Sequence, residues 1–283
     1  MISRRRFLIA AAGVATGIGT LAYSRKLEPQ WLDVSQRALP LPATTWSGPP
    51  LRVLHLSDLH LSPVVSLDFI NAAITRGLEE KPDLICVTGD FITAGRSFDE
   101  DAYARVLARL AAAAPTFATL GNHDGGRFTA SFGGEPSVAR IGALVTRAGL
   151  NWLHNQTAAA MVRGRRVHVV GLGDWWCGDC QPALAFRGFV PPPGEPVIAL
   201  SHNPDSKDAL VKYPWHALLC GHTHGGQCGL PLIGPALAPV RDKTIIAGPY
   251  RYADRWIHVT RGVGNLYGVR FACRPEVALL TLA

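Results

Sequence analysis

Leu51-Arg52-Val53-Leu54-His55-Leu56-Ser57-Asp58-Leu59-His60 is a short apolar run that leads straight into a carboxylate and an imidazole. The run reads as a buried strand. The same arrangement recurs. Residues 84–88 form a second apolar run, ended by Gly89-Asp90, and residues 116–120 a third, ended by Gly121-Asn122-His123-Asp124. Helical spacing fills the gaps. Leu67, Ile70, Ile74 and Leu78 share one face, as do Tyr103, Val106 (or Leu107) and Leu110, while Ile141, Leu144 and Val145 mark a third helix. This β-α-β-α-β-α order predicts a layered α/β sheet. The second half differs. Residues 167–172, 197–200, 217–220, 244–247, 256–260 and 277–282 read as strands, with only 205–211 helical. That excess of strand predicts a second sheet packed on the first.

The chain has 283 residues, of which 48% are hydrophobic and 17% charged. Such a composition excludes a disordered chain, and the length can bury a sizeable core. No long uninterrupted apolar stretch exists, which excludes a polytopic membrane protein. The net charge of +7 invites a nucleic-acid partner. Its distribution withdraws the invitation. Arg4, Arg5, Arg6, Arg25 and Lys26 lie in residues 1–26, which hold no acid; the rest has 23 basic against 21 acidic residues. No nucleic acid is expected, and the chain is expected to act as a monomer.

Two further strand ends carry the same kind of chemistry, Ser201-His202-Asn203 and Gly221-His222-Thr223-His224. Ligands tend to bind at the carboxyl ends of strands in α/β sheets. Carboxylate, imidazole and amide donors suit Mn, Fe or Zn. Asp58 and His60 are two apart, so extended backbone would point both the same way, and His222 and His224 repeat the spacing. A two-metal centre uses this many donors more economically than one closed site. Asp90 can bridge two cations and offset their repulsion. No cysteine belongs to the set, which argues against a structural zinc knuckle. His55, His154, His168, His216 and His258 read as structural.

Asp-x-His, Gly-Asp, Gly-Asn-His-Asp, a single His and Gly-His-x-His, in that order, resemble the calcineurin-like metallophosphoesterase family over residues 50–283. Leu200-Ser-His-Asn-Pro-Asp205, Cys220-Gly-His-Thr-His-Gly-Gly-Gln227 and the tail from Arg261-Gly-Val-Gly264 through Arg270, Pro275 and Glu276 resemble its bacterial exported or membrane-associated subgroup. The resemblance implies a four-layer α/β/β/α sandwich with two mixed sheets. It implies that Asp58, His60 and His224 hold one divalent ion, that Asn122, His202 and His222 hold another, and that Asp90 bridges them. Two such ions activate a shared water for in-line attack on phosphorus. His123 would then protonate the leaving group or stabilise the transition state, with Asp124 as a candidate to orient it. An imidazole suits that task near neutral pH.

One departure narrows the chemistry. The family's protein phosphatases follow Gly-Asp with a second Asp and an Arg, whereas this chain has Gly89-Asp90-Phe91-Ile92-Thr93. The missing Arg favours a phosphodiester or pyrophosphate substrate. The subgroup points to lipid-linked or envelope substrates such as UDP-diacylglucosamine. Alternatives are a phosphomonoesterase and a non-enzymatic metal-binding envelope protein. Arg270 and Arg241 are candidates to grip phosphate. Trp175 and Trp176 either pack under a loop or bind a chain, a sugar or a membrane surface.

Ser3-Arg4-Arg5-Arg6-Phe7-Leu8 resembles a twin-arginine export signal, followed by an Ala- and Gly-rich apolar run. Residues 1–26 therefore read as a signal or an uncleaved anchor. They imply the twin-arginine machinery as partner and a periplasmic or envelope location. Export would part the enzyme from nucleotide-sugar substrates, whereas an inward-facing anchor would not. Residues 27–50, with five prolines, read as a linker, and 51–283 as the catalytic domain. Cys177-Gly-Asp-Cys180 reads as a local disulfide or a pair of free thiols.

Overall fold

The computed structural model describes residues 4–46, 49–93, 95 and 97–283. Helix α1 (Arg4–Ala22) precedes strand β1 (Asp33–Leu39) and then β2 (Leu51–Leu56). Next come α2 (Leu67–Glu79), β3 (Leu84–Thr88), α3 (Glu100–Ala113) and β4 (Thr116–Thr119). Two helices follow, α4 (Arg127–Ala130) and α5 (Ala139–Arg147), then β5 (Asn151–Trp152), β6 (Gln156–Val162) and β7 (Arg165–Gly171). The remainder comprises α6 (Pro182–Ala185), β8 (Val197–Leu200), α7 (Lys207–Leu210), β9 (Ala217–Cys220) and α8 (Ile233–Leu237). Strands β10 (Gly248–Tyr252), β11 (Arg255–Val259) and β12 (Glu276–Leu282) close the chain.

These strands build two mixed six-stranded sheets, ordered β1-β12-β2-β3-β4-β5 and β10-β11-β9-β8-β7-β6. In the first, β2, β3, β4 and β5 run parallel while β12 is antiparallel to β2. In the second, β7, β8, β9 and β11 run parallel, with β6 and β10 antiparallel at the edges. Short apolar strands form the centre because both of their faces are covered. Val53, Leu84 and Phe117 of the first sheet pack against Val169, Ile198 and Leu219 of the second. The outer face of the first sheet is covered by Ile70 and Ile74 of α2, Leu107 and Leu110 of α3 and Leu144 of α5. Ser66 caps α2 by accepting from Phe69 N (3.2 Å), and Asp99 caps α3 by accepting from Ala102 N (2.8 Å). The outer face of the second sheet is covered by Phe186, Leu210, Trp215 and Ile245, from short helices and loops. The layering is therefore the expected one, with a thin fourth layer.

Two expectations are corrected. Residues 27–50 are not linker throughout, because β1 pairs in parallel with β12 from Asp33↔Glu276 to Leu39↔Leu282. Prolines 40, 42, 49 and 50 flank this strand without entering it, which is where an edge strand tolerates them. Residues 244–247 are not a strand; the pairing begins at Gly248. Of the two readings of Cys177 and Cys180, the structure has free thiols, as at all six cysteines. Cys177 Sγ points at the Gly125 carbonyl (3.4 Å), whereas Cys180 packs against the outer core of the second sheet.

Candidate metal centre

Each candidate ligand leaves its strand within four residues of the strand end. β2 delivers Asp58 and His60, β3 Asp90, β4 Asn122 and His123, β8 His202, and β9 His222 and His224. All of these strands run in one direction within their sheets, so their carboxyl ends meet at one edge of the sandwich.

The backbone there departs from the extended form. Asp58 (φ 53°), His60 (φ 48°), Asp90 (φ 54°), His222 (φ 69°) and His224 (φ 49°) occupy the left-handed region. Non-glycine residues adopt it at a cost of about 1–2 kcal/mol each. The i, i+2 spacing is therefore not a strand repeat. It marks paired tight turns that aim side chains back over the sheet ends. Such strain persists where surrounding structure enforces it. Gly221 shows the tightness: a β-carbon there would lie 1.9 Å from Ser57 Oγ and 2.2 Å from Asp58 Oδ2.

Partners behind the rings fix which nitrogen faces inward. His60 Nδ1 meets Thr93 Oγ1 (3.0 Å), His202 Nδ1 meets the Thr88 carbonyl (2.7 Å), and His222 Nε2 meets the Pro239 carbonyl (3.1 Å). This leaves His60 Nε2, His202 Nε2 and His222 Nδ1 free to converge. Asp58, His60 and His224 place ligand atoms within 4.8 Å of one another, and so do Asp90, His202 and His222. Asp90 Oδ2 lies between the groups, 3.4 Å from His60 Nε2 and 3.1 Å from His202 Nε2. Its Oδ1 accepts from His123 N (2.9 Å).

The electrostatics fit a cation pair. Burial pushes the imidazoles of His60 and His222 well down, and His224 to about 4, so these rings stand neutral with lone pairs available. Burial also opposes charge on Asp90, but His202, His123 and His60 hold that carboxylate well below its ordinary range. His202 is the exception among the imidazoles. Burial disfavours its charge, yet Asp90 and Asp58 push it well above the ordinary value. Asn122 decides the fit. Both Oδ1 and Nδ2 are buried without any hydrogen-bond partner, which is costly unless something else satisfies the amide. Asn122 lines one cavity with Asp90 and His222, where its amide oxygen is a donor that a second divalent ion can use.

Residues 51–226 match the family model described as Calcineurin-like phosphoesterase. This chain belongs to that family. It is a phosphoester hydrolase of the α/β class, and its two triads are candidate sites for the family's dinuclear metal centre. Phosphodiesterase YaeI of Escherichia coli K12 is 43% identical over all of both chains. The uncharacterised metallophosphoesterase YkuE of Bacillus subtilis is 30% identical, covering 99% of this chain and 98% of its own. UDP-2,3-diacylglucosamine pyrophosphatase LpxG of Chlamydia trachomatis is 26% identical, covering 94% of each.

The remaining candidates of this phosphoesterase separate clearly. His123 is half-buried, in T-shaped contact with His60 and Phe128 (ring centroids 5.1 and 5.2 Å apart), at the wall of a cavity of ≈ 950 Å³. Asp124 does not orient it. Its carboxylate accepts from Phe91 N (2.7 Å), Ile92 N (3.2 Å) and Gly121 N (2.9 Å). Asp124 therefore ties the loop after β3 to the loop after β4 and positions both. Burial and the nearby Asp90 push its carboxyl up to about 8. Arg270 cannot grip a phosphate, because it is fully buried. Its guanidinium donates to the carbonyls of Cys273 (3.0 Å), Arg261 (2.8 Å), Gly262 (3.0 Å) and Gly264. That turn in turn braces the ligand loop, with Val263 N on Ser57 O (3.0 Å) and Gly264 N on Asp58 O (2.6 Å).

Trp176 stands edge-on to His222, centroids 4.4 Å apart, and lines the large cavity. Trp175 does not line it. With Arg241 and Lys243 it lines a smaller neighbouring groove of ≈ 440 Å³, and Trp176 separates the two. The orienting groups Thr93, Thr88 O and Pro239 O went unread in the sequence, because a lone Thr or a backbone carbonyl carries no pattern.

Proposed function

We propose that this phosphoesterase hydrolyses phosphodiester or pyrophosphate bonds, with an apolar or lipid-linked substrate such as UDP-diacylglucosamine as the leading class. One observation carries the reading: Asp90 Oδ2 is shared between two triads at the wall of a large apolar cavity. Two divalent cations, one held by Asp58, His60 and His224 and one by Asn122, His202 and His222, with Asp90 between, would supply water activation and charge neutralisation at phosphorus.

The chain's own residues divide the rest of the work. His123 reaches the cavity beside Asp90 and Asn122, where it can donate a proton to the departing oxygen. Phe128 and Trp176, 5.3 Å apart, wall off that side and limit water. Phe132, Leu237 and Tyr267 extend the cavity outward with apolar surface suited to an acyl chain. Phe91 stands buried where the family's protein phosphatases carry an acid, and no Arg follows it, which supports a diester or anhydride over a protein phosphomonoester. The names of the two characterised relatives support the same class.

The twin-arginine reading of residues 1–26 belongs to the proposal. It would route a folded, metal-loaded enzyme to the envelope, and intact-mass analysis of the protein from the cell tests whether residues 1–26 remain. The substrate reading is tested by supplying Mn²⁺-loaded protein with bis(p-nitrophenyl) phosphate, p-nitrophenyl phosphate and a diphospho-lipid. The expected order is diester and diphospho-lipid well above monoester. Preference for the monoester would overturn it.

A further inference from the structure

The cavity does not end at a polar rim. Phe132 (73% exposed), Leu232 (89%) and Tyr267 (74%) stand out at its mouth or beside it, with Leu230, Ile233 and Leu237 also exposed. Scattered surface apolar residues need no explanation, whereas a contiguous set does. A backbone contact ties part of this set to the cavity. Gly229 N donates to Phe271 O (2.8 Å), which joins the segment of Leu230, Leu232 and Ile233 to a residue of the cavity wall.

The patch also continues into the N-terminal helix. Tyr23, just after α1, packs edge-on against Phe271 with centroids 6.3 Å apart. Arg270 N donates to Ser24 O (2.9 Å), and the Glu28 carboxylate accepts from Ala272 N (2.8 Å) and Cys273 N. The base of α1 is thus fixed to the loop that forms the cavity wall. Beyond that base the described side chains of the helix, at residues 13, 14 and 16–22, are all exposed. Gly13, Gly17 and Gly19 face open space with no neighbour within 4 Å of a β-carbon position, and Val14, Ile18 and Leu21 are exposed. In proteins most helical stability comes from packing an apolar face, and three glycines weaken this helix further. Residues 7–23 contain no charged side chain, yet no helix among the described residues is long and apolar enough to cross a membrane. Burying the exposed Val14, Ile18 and Leu21 in a lipid interface would be favourable for such an apolar, uncharged segment. Arg25 and Lys26 are exposed at its base, beside the apolar patch, whereas the adjacent Glu28 is buried and engaged. That charge placement complements anionic headgroups.

We infer that α1 and the apolar rim around Leu232 and Tyr267 form one face that docks on an anionic lipid bilayer, so that the catalytic cavity opens at the lipid surface. An apolar-tailed substrate then enters sideways from the bilayer and need not cross water. The docking itself does not depend on which phosphate bond is cleaved.

The test is co-sedimentation of the full chain with vesicles of phosphatidylcholine alone and of phosphatidylcholine with phosphatidylglycerol. Turnover of bis(p-nitrophenyl) phosphate is measured in parallel. Binding should be at least tenfold stronger with phosphatidylglycerol present. It should fall at least tenfold for Leu232→Glu with Ile233→Glu, and separately for Arg25→Glu with Lys26→Glu, while turnover of the soluble diester stays unchanged in both. Should the first pair impair folding, as lost turnover would reveal, the second pair alone decides. No binding of wild type to either vesicle would overturn the inference, as would binding indifferent to the Arg25/Lys26 change. A dimer in light scattering that the Leu232/Ile233 change dissolves, without vesicle binding, would instead assign the face to a second copy. Failure of the wild type to hydrolyse the diester would count against the proposed activity and leave the vesicle result standing.

Discussion

His123 shows how far residue types alone can be read. The family resemblance implies proton transfer or transition-state stabilisation by it, and it stands at the cavity wall beside Asp90 and Asn122. His123→Ala should lower turnover of a phosphodiester about 10²–10⁴-fold while metal content stays at wild-type level, measured by elemental analysis alongside kinetics. Thr93 was invisible because its role comes from one hydrogen bond to His60 Nδ1, 33 residues away in sequence. Thr93→Val removes that partner at little change in volume. Metal affinity or activity should drop about 10–100-fold, readable by competition with a chelator dye. Arg270 was misread for a general reason: a basic residue in a motif looks the same whether it faces a phosphate or four carbonyls. The ligand types were legible because carboxylates and imidazoles recur at strand ends. Their left-handed backbone was not, since φ leaves no signature at Asp or His.

At the scale of elements, central strands were readable from short apolar runs, and α2, α3 and α5 from 3.6-residue spacing. Edge strands were not. β1 shows a buried pattern only at Ser35 and Leu39, and its prolines suggested a linker. β6 is largely half-exposed, so its Ala-rich sequence carries no clear alternation. The turns that join the sheets carry predictions of their own. Gly221→Ala would force a methyl group into Ser57 and Asp58, so it should abolish tight metal binding even where the chain folds, as calorimetric titration would show. Arg270→Met keeps a long apolar stem but strands four carbonyls in the 261–273 segment. A loss of about 3 kcal/mol or more is expected in urea unfolding.

On the scale of the whole molecule, two sheets meet through buried polar groups as well as apolar ones. His55 of β2 and His258 of β11 touch at 2.9 Å, and the Glu276 carboxylate accepts from Thr260 Oγ1 (3.0 Å) and Arg261 N (2.8 Å). Burial works against the charge of Glu276, but Arg261 and His258 bring its carboxyl down to about 2. A carboxyl depressed on folding stabilises the protein above its unfolded value near 4.5, and that gain is lost as pH falls towards about 2. Burial lowers His258 to about 4, so its contribution is present above the ordinary 6.5 and is lost as pH falls through that window. Stability should therefore decline with acid in two stages. Glu276→Gln should cost about 3 kcal/mol at neutral pH and little near pH 2, in urea titrations of chelator-stripped protein.

Seven residues from five strand ends are placed so that they would hold two cations, and phosphoester hydrolysis by this chain would depend on both. The most direct measurement strips the protein with a chelator, restores Mn²⁺ in steps, and follows bound metal and bis(p-nitrophenyl) phosphate turnover on the same samples. Turnover should return only as bound metal approaches two ions per chain, and Asp90→Asn should bind fewer ions and remain inactive. Full turnover in the stripped protein, or in Asp90→Asn, would contradict a two-cation mechanism.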